Sequence, residues 1–498
     1  MERINQKNQK NVTKGVTFGV TNGRHEWASR FGVTFRNFAL LLLLLLLSSC
    51  SLPPTLPLPP GGAGEANPEL RTNAAALEKW QDMRFGMFVH WGPVALKGTE
   101  IGWSRGREIP FNTYDSLYMQ FNPVNFDANE WISIAKEAGM KYFVITSKHH
   151  DGFSIFHSDY TEYDIANTPI KRDLMKEMQL ACEDQGIMFS TYYSVLDWYH
   201  PHYTTRYRNE PRPIEDSNMD IYKQFLFDQV GELITKYNTN LIWFDGQWEA
   251  SWTHEMGMEL YQYCRDLNDD LIINNRVDKG FKGMAGMTDS IAKYAGDYGT
   301  PEQRIGGFNN TYPWESCITI CKQWAWKPDD QLKSVQECIH TLIKTIGGDG
   351  NLLLNVGPMP DGRIEERQVE VLREIGAWVK TNEAGIYGSR GGPYMPTEEL
   401  ACTYNGKNLY LFVMGDSREI VVPALEGVKI RKARLIGDAH RDASRDASRD
   451  ASRDAWVKIV EEEGNWVFVL PDELPSDVAN VIEVRTNSYL AEIEPVEL

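Results

Sequence analysis

The chain has 498 residues, of which 42% are hydrophobic and 24% are charged. This composition is that of a globular protein and excludes disordered, collagen-like and multi-span membrane classes, while the length suggests two or three domains. The formal net charge is −18, and an acidic surface repels phosphate backbones, so nucleic acid is not an expected partner.

Residues 1–50 are predicted to form a lipoprotein-type signal peptide. A basic, polar stretch leads into eight consecutive leucines, Leu40 to Leu47, a run too short for a stable membrane span. The run continues as Ser48-Ser49-Cys50, which resembles a bacterial lipobox, and Cys50 is therefore the predicted lipidation site. A plain cleaved signal with an incidental cysteine is the alternative. The lipobox predicts an exported protein that is lipid-anchored to a bacterial membrane, on its periplasmic or cell-surface side, with residues 51–77 as a Pro/Gly-rich tether.

Residues 78–390 are predicted to form a catalytic domain in which strands alternate with helices. Helical spacing of Leu226, Val230, Leu233 and Tyr237 indicates one such helix, from Asp220 to Tyr237. The apolar runs predicted to be strands are Met87–His90, Tyr142–Ile145, Met188–Tyr192, Leu241–Phe244, Leu271–Ile273 and Leu352–Val356. Apolar strands separated by helices favour a parallel sheet covered on both faces, and the length of the pattern favours a (β/α)₈-like barrel over a doubly wound sheet.

Polar and aromatic residues cluster where these predicted strands end. They include His90, the run from Lys148 to Asp151, Tyr192, Asp245 and Arg276. Since all strands of a parallel barrel open their carboxyl ends onto one face, these side chains are expected to converge there in an active site.

From residue 391 to 498 the pattern changes to alternating strands without helices, which predicts an antiparallel β-sandwich. The runs lie at Asn408–Val413, Ile420–Val422, Val457–Val460, Trp466–Leu470 and Val481–Val484. An Arg-Asp-Ala-Ser repeat at 441–455 interrupts them, and its alternating charges indicate a low-complexity surface loop rather than a binding tract.

No metal site or cofactor is predicted. The cysteines beyond Cys50 form no paired CxxC blocks, and no histidine follows Cys317 and Cys321 at ligand spacing. His149 and His150 are adjacent on a predicted strand, where successive side chains point to opposite faces, so joint metal binding by these two is disfavoured. Most of the cysteines are expected to be buried free thiols.

Carboxylates near the predicted barrel face suggest glycoside hydrolysis, which needs two of them beside one bond. Asp245 ends the strand Leu241–Phe244 and suits a nucleophile or base, although a capping or loop role is equally compatible with its position. Glu302 follows Pro301 in a loop, and Glu315 follows Trp314. Histidines at the strand ends suit hydroxyl recognition, because neutral imidazole both donates and accepts hydrogen bonds.

Six segments in chain order together resemble the α-L-fucosidases of glycoside hydrolase family twenty-nine. They are Phe85–Gly92, Lys148–Phe153, Tyr192–Ser194, Trp243–Asp245, Trp314–Cys317 and Gly350–Pro358. The resemblance spans about residues 78 to 390, and the C-terminal sandwich also fits that family. It implies a (β/α)₈-like barrel without a metal, and hydrolysis of α-L-fucosides with retention through a covalent fucosyl-enzyme.

The resemblance also implies roles for single residues. Asp245 corresponds to the nucleophile, and Glu302 is favoured as the acid/base. Glu315 is then expected to bind a sugar hydroxyl or to support the pocket. The alternative is that Glu315 is the acid/base in place of Glu302. Trp324 corresponds to an aromatic that packs on the C5 methyl group of fucose. Further sugar-binding residues implied by the resemblance are His90, His149, His150, Tyr192, Trp243 and Arg276.

The loop after the first strand departs from the family pattern. Many members carry a Glu-Trp pair there, whereas this chain reads Glu100-Ile101-Gly102-Trp103. Trp103 remains a predicted sugar contact, and no role is assigned to Glu100. The predicted function is an exo-acting α-L-fucosidase acting on fucosylated oligosaccharides or glycoconjugates. The alternatives are a lectin-like relative without turnover and an exo-hydrolase of another 6-deoxy or L-galacto-configured glycoside.

Overall fold

A parallel sheet of seven strands forms the centre of the N-terminal part of the protein. The computed structural model describes residues 73–205, 210–281, 283–287, 293–437 and 457–498. The strands are β1 (Phe85–Val89), β2 (Tyr142–Lys148), β3 (Met188–Ser194), β4 (Leu241–Asp245), β5 (Ile272–Ile273), β6 (Glu315–Thr319) and β7 (Asn351–Val356). They lie in the spatial order β5-β4-β3-β2-β1-β7-β6. All except β6 coincide with the predicted apolar runs. The uninterrupted apolar character of these runs is typical of strands that are buried on both faces.

The sheet closes into a barrel through two residues, Tyr298 and Gly299. Tyr298 pairs in parallel with Asn274, next to β5, and Gly299 pairs in parallel with Trp314, next to β6. The Asn275 N–H donates to the Tyr298 carbonyl at 2.9 Å, and the Glu315 N–H donates to the Gly299 carbonyl at 2.9 Å. This short segment fills the place of the missing strand, so the predicted (β/α)₈-like barrel is confirmed.

Most helices lie between strands along the chain and cover the outside of the barrel, whereas the first helix precedes β1. Local sequence determines where they begin: Asn218 caps the helix Met219–Thr235, and Ser334 with Glu337 forms a capping box. The helices of the described residues are α1 (Ala74–Met83), α2 (Phe111–Asp115), α3 (Ala128–Glu137), α4 (Leu174–Gln185), α5 (Met219–Thr235), α6 (His254–Leu267), α7 (Val335–Gly347) and α8 (Glu366–Asn382).

Alternation along the strands divides the apolar core into an inner and an outer layer. Phe88, Tyr192 and Trp243 belong to the cluster inside the barrel, to which α1 adds Leu77 and Trp80. Their strand neighbours, such as Val89, Tyr193 and Phe244, belong to the larger cluster beneath the helices. The barrel interior is therefore a packed core, and the strand ends above it remain available for a site.

The C-terminal part is an antiparallel sandwich, as predicted. Its strands are β8 (Arg390–Gly391), β9 (Leu400–Asn405), β10 (Asn408–Val413), β11 (Glu419–Pro423), β12 (Ile430–Leu435), β13 (Lys458–Glu462), β14 (Asn465–Val469) and β15 (Asn480–Thr486). One sheet has the order β12-β15-β10-β9-β8 and the other has the order β11-β14-β13. Leu411, Val422, Phe468 and Ile482 are fully buried in the apolar layer between these sheets.

The predicted signal peptide at 1–50 with its lipidation site Cys50, most of the predicted tether at 51–77 and the low-complexity loop at 441–455 lie outside the described residues. Among the helices that the structure describes, none is both long and apolar enough to cross a membrane. The six cysteines within the described ranges are all buried and free, as expected for most of them from sequence.

Candidate active site

The alternation of side chains along the strands determines which residues point into the mouth of the barrel. Phe88 and Trp243 point into the barrel core. Because side chains two residues apart share a face, the residues two positions further on, His90 and Asp245, also point inward, now above the core. Both line a cavity of about 530 Å³ at the carboxyl ends of the strands. The same cavity is lined by Trp103, His149, His150, Tyr192, Trp243, Arg276, Glu302 and Trp324, and it therefore collects nearly all the residues that sequence analysis singled out.

Asp245 is held from both of its carboxylate oxygens. Arg276 Nη1 lies 2.9 Å from Oδ1, and the Tyr192 hydroxyl donates to Oδ2 at 3.0 Å. The side chain is 11% exposed, which leaves it accessible from the cavity although most of its surface is covered. Burial raises the pKa of Tyr192 well above its usual range, so this hydroxyl keeps its proton and stays a donor. The carboxylate is thus oriented and can face a bound sugar.

The chain turns sharply directly after Asp245. Gly246 has φ +91°, a conformation that side-chain-bearing residues rarely adopt, and a Cβ there would lie 2.9 Å from Ser194 Oγ. The glycine lets the strand end at the carboxylate and brings the next residues, Gln247 and Trp248, back to the cavity wall.

Arg276 joins the two carboxylates of the cavity. Its Nη1 binds Asp245, and its Nη2 lies 2.9 Å from Glu302 Oε2. Burial by itself would lower the pKa of the guanidinium, but Glu302 and Asp245 more than offset this and the net shift is upward. The cation lies between two aromatic rings, 4.4 Å from the Trp243 centroid and 4.2 Å from the Phe281 centroid. One fixed positive charge therefore holds Asp245 and Glu302 close to each other.

His90 presents a lone pair to the cavity. Burial lowers its pKa to about 3, so the ring is neutral at physiological pH. Its Nδ1 lies 2.7 Å from Asn355 Oδ1, and the Asn355 amide donates to the Trp324 carbonyl at 2.8 Å. Because Asn355 Oδ1 can only accept, His90 Nδ1 carries the proton, and Nε2 is left as an acceptor.

The position of the ring proton of His150 also follows from its hydrogen-bond partner. Its Nδ1 lies 2.7 Å from Ser194 Oγ, whose own proton is donated to the Leu196 carbonyl at 2.8 Å. His150 Nδ1 is therefore the donor, and Nε2, 3.6 Å from Asp245 Oδ2, carries a lone pair. Burial lowers the pKa of His150 well below its usual range, so the ring is neutral. A sugar hydroxyl beside these two acceptors can donate its one proton to either His150 Nε2 or Asp245 Oδ2.

The expectation that His149 and His150 point in opposite directions is wrong. The strand β2 ends at Lys148, so the two histidines lie beyond the pleated backbone that would separate them. Their ring centroids are 4.1 Å apart, and both rings line the cavity. His149 stacks on Tyr192 at 5.4 Å with an interplanar angle of 10°, and burial lowers its pKa well below the usual range.

Two tryptophans form apolar walls. Trp324 packs beside His90, with ring centroids 4.7 Å apart, and Trp103 contacts His150 edge-on at 5.4 Å. Glu100, to which sequence analysis gave no role, holds the backbone of the Trp324 loop: its Oε2 accepts from the Trp324 N–H at 3.0 Å, and its Oε1 accepts from the Ala325 N–H at 3.0 Å. Glu100 therefore supports one wall of the cavity from behind.

The structure does not support the prediction that Glu315 binds a sugar hydroxyl, because Glu315 is not among the residues that line the cavity. It is fully buried beneath the pocket, where Trp243 Nε1 donates to its Oε1 at 3.0 Å and Tyr142 is bound to its Oε2 at 2.5 Å. Burial raises the pKa of Glu315 to about 8. The first residue of β6 points into the barrel core, so Glu315 supports the Trp243 ring, which was the other role considered for it.

Several residues of the cavity wall were not predicted from the sequence. Gln247 and Trp248 directly follow Asp245-Gly246, and their position after a strand end was a signal that could have found them. Lys279, Phe281 and Met284 come from a loop after β5 that carries no periodic pattern. Within the described residues, no group of three His, Cys, Asp or Glu side chains is arranged to hold a metal ion.

The arrangement suits the hydrolysis of a bond to a sugar. Two carboxylates share one cation, three neutral imidazoles offer hydrogen bonds to hydroxyl groups, and aromatic walls cover apolar carbons. Retaining glycosidases need two carboxyl groups about 5 Å apart, a spacing that a single bridging guanidinium accommodates.

Comparisons with known proteins agree with this chemistry. Residues 65–384 match the family model described as alpha-L-fucosidase. Plasma alpha-L-fucosidase of Homo sapiens is 29% identical over 346 residues, which cover 63% of this chain and 70% of that protein. Alpha-L-fucosidase of Branchiostoma floridae is 27% identical over 399 residues, covering 74% of this chain and 83% of that protein.

Solved structures are similar as well. Alpha-L-fucosidase isoenzyme 1 from Paenibacillus thiaminolyticus superposes with a TM-score of 0.72 at 31% identity, covering 83% of this chain and 99% of the other. A family twenty-nine alpha-L-fucosidase from Bacteroides thetaiotaomicron, trapped in a mutant as a covalent intermediate with 2-fluoro-fucosyl fluoride, superposes with a TM-score of 0.73 at 27% identity, covering 87% of this chain and all of the other. The family match covers most of the chain, the fold agrees over its described length, and the cavity holds the expected carboxylates: the chain belongs to the α-L-fucosidase family.

Proposed function

We propose that this protein is an exo-acting α-L-fucosidase that removes terminal α-L-fucosyl residues from oligosaccharides or glycoconjugates with retention, with Asp245 as the nucleophile and Glu302 as the acid/base. The observation that carries the proposal is the contact of Arg276 with both carboxylates in one cavity at the barrel mouth. A lectin needs hydroxyl-binding residues but no such pair, so the paired carboxylates favour an enzyme.

In the first step, an Asp245 oxygen attacks the anomeric carbon of fucose while the bond to the leaving oxygen breaks. Protonated Glu302 gives its proton to that oxygen, and an ester joins fucose to Asp245. Arg276 and Tyr192 hold the carboxylate in position, so little reorganisation accompanies the attack.

In the second step, Glu302 takes a proton from a water molecule whose oxygen attacks the anomeric carbon, and the ester to Asp245 breaks. Two inversions give net retention. The Bacteroides thetaiotaomicron relative, whose structure is that of a trapped covalent intermediate, supports this route for a chain of the same family.

Two aryl glycosides test the proposal. The purified protein should hydrolyse an aryl α-L-fucoside, release α-L-fucose as the first-formed anomer by NMR, and leave an aryl β-D-fucoside intact. Absence of turnover with tight fucose binding would support the lectin alternative, and β-L-fucose as the first product would contradict retention.

We also propose that the chain is exported and anchored to a bacterial membrane through a lipid on Cys50. The support is the sequence Leu47-Ser48-Ser49-Cys50 directly behind an apolar run. Expressed in a bacterium, the wild type should partition into the detergent phase and Cys50→Ala should stay in the aqueous phase. A matched variant one residue away, Ser51→Ala, should behave as the wild type, and equal partitioning of wild type and Cys50→Ala would contradict the anchor.

A further inference from the structure

The cavity extends beyond the residues assigned to the fucosyl unit. Five of its lining side chains are not used by the proposed mechanism, namely Gln247, Trp248, Lys279, Phe281 and Met284, and the part of the cavity that they line is called its outer part below. The Glu302 N–H donates to the Met284 carbonyl at 3.1 Å, so this outer part adjoins the proposed acid/base. The leaving group of the reaction must lie on the side from which Glu302 protonates it.

Trp248 offers a flat apolar surface at this place. The residue is 44% exposed, which is unusual for a tryptophan in a folded chain. The ring is nevertheless fixed, because it stacks on Trp103 at 6.2 Å with an interplanar angle of 17° and meets His150 edge-on at 5.2 Å. A rigid, exposed aromatic ring at a cavity rim loses little entropy when a ligand covers it.

Gln247 adds an unused hydrogen-bonding group. It is 2% exposed, and neither its amide oxygen nor its amide nitrogen has a hydrogen-bond partner among the described residues. A buried, unpaired amide costs free energy, and polar atoms of this kind are normally satisfied. Gln247 belongs to the lining of the cavity, and its backbone carbonyl accepts from Lys279 Nζ at 2.6 Å, which holds the residue at the cavity wall.

We propose that Gln247 and Trp248 bind the sugar to which the fucosyl residue is linked. The apolar face of a pyranose ring covers an indole, while its hydroxyl or acetamido groups both donate and accept hydrogen bonds, as an amide requires. An alkyl or lipid leaving group could cover Trp248 but would leave the Gln247 amide unpaired. This inference rests on the proposed function, and it specifies the leaving group as a sugar.

Comparison of two substrates tests the inference. α-L-Fucosyl fluoride has a single atom as leaving group and cannot contact the outer part of the cavity, whereas a fucosylated trisaccharide can. The readout is the ratio of kcat/KM for the trisaccharide, chosen as the one that the wild type cleaves fastest, to kcat/KM for the fluoride. In Trp248→Ala and in Gln247→Ala this ratio should fall by about tenfold or more, the usual size for a lost pocket contact. Tyr489→Ala, which removes an exposed aromatic ring from the C-terminal sandwich, should leave the ratio unchanged.

The possible outcomes separate the two proposals. A ratio that stays constant in both variants, or a wild type that cleaves the fluoride but no trisaccharide, would overturn the sugar-binding role of Gln247 and Trp248. A wild type that does not hydrolyse the fluoride would instead overturn the proposed function itself. Poor folding of a variant lowers both of its kcat/KM values by the same factor. The ratio is therefore independent of the folded fraction, and a fall in the ratio reports a loss of sugar binding and not a loss of folded protein.

Discussion

Arg276 Nη1 lies 2.9 Å from Asp245 Oδ1, and through its other terminal nitrogen the same guanidinium reaches Glu302. The planar fork of arginine can serve two carboxylates at once, whereas the ammonium of lysine is a point charge on a flexible stem. The proposed nucleophile and acid/base are thereby positioned by one residue.

Arg276→Lys should therefore lower kcat by on the order of a hundredfold, the size of effect found when one preorganised electrostatic contact is removed. The measurement is steady-state hydrolysis of an aryl α-L-fucoside. Arg265→Lys is the matched control, because Arg265 forms an equally buried pair with Asp297 and does not line the cavity. The control should lose thermal stability and keep kcat. A kcat for Arg276→Lys close to that of the wild type would contradict the bridging role.

Removal of the proposed acid/base should depend on the leaving group. Glu302→Ala should impair hydrolysis of natural fucosides far more than hydrolysis of an activated nitrophenyl fucoside, since a good leaving group needs no proton. Azide should rescue this variant and give α-fucosyl azide, which NMR identifies. Glu315→Gln is the comparison, because Glu315 is buried below the cavity and its amide analogue can keep the contacts with Trp243 and Tyr142. Leaving-group dependence in Glu315→Gln but not in Glu302→Ala would show that the roles are exchanged.

Glu100 should act on the substrate through Trp324. In Glu100→Gln one of the two backbone N–H groups loses its acceptor, so the Trp324 loop should shift and kcat/KM for an aryl fucoside should fall about tenfold. The loss should be smaller for the corresponding pentopyranoside, which lacks the methyl group that Trp324 is proposed to cover. Glu108 is an exposed residue of the loop that carries Glu100, and Glu108→Gln should change kcat/KM for neither substrate. Equal losses on both substrates in Glu100→Gln would contradict a role through the methyl contact.

Glu315 should make stability depend on pH. Its folded-state pKa is raised by burial to about 8, above the ordinary value of 4.5, so between these values the native state binds a proton that the unfolded state has lost. Stability therefore falls as pH rises through this window and levels off above about pH 8. Other buried groups titrate in the same window: Asp151, whose pKa burial raises to about 6, adds a fall in stability below pH 6, whereas His90, His149 and His150 add a rise around their ordinary pKa of 6.5, because burial keeps them neutral in the native state. These contributions are common to the wild type and to Glu315→Gln, so the difference between the two isolates Glu315. As pH rises from 6 to 8, the Tm of the wild type should fall relative to that of Glu315→Gln. An unchanged slope in the variant would contradict this assignment.

The barrel and much of its site could be predicted because both depend on simple periodicities. Apolar runs identified six strands, and polar residues such as His90 and Asp245 stand where those strands end, which places them at the barrel mouth. The closing segment at Tyr298 and Gly299 escaped prediction, since two residues are too few to show a period.

Other errors arose where side-chain direction depends on the exact end of a strand. His149 and His150 share the cavity because β2 stops one residue earlier, and Glu315 is buried because β6 begins with it. The support that Glu100 gives to the Trp324 loop connects positions more than two hundred residues apart, a contact that no local pattern encodes.

Identification of the residue that becomes esterified tests the account most directly. Incubation with 2-fluoro-fucosyl fluoride should trap the fucosyl-enzyme, because fluorine at C2 slows hydrolysis of the ester while fluoride still leaves readily. Mass spectrometry of a protease digest should then find one 2-fluorofucosyl group, attached to Asp245, and Asp245→Gly should acquire no label. A label on Glu302 or on any other residue, or labelling of Asp245→Gly at the wild-type level, would contradict the assignment of Asp245 as the nucleophile.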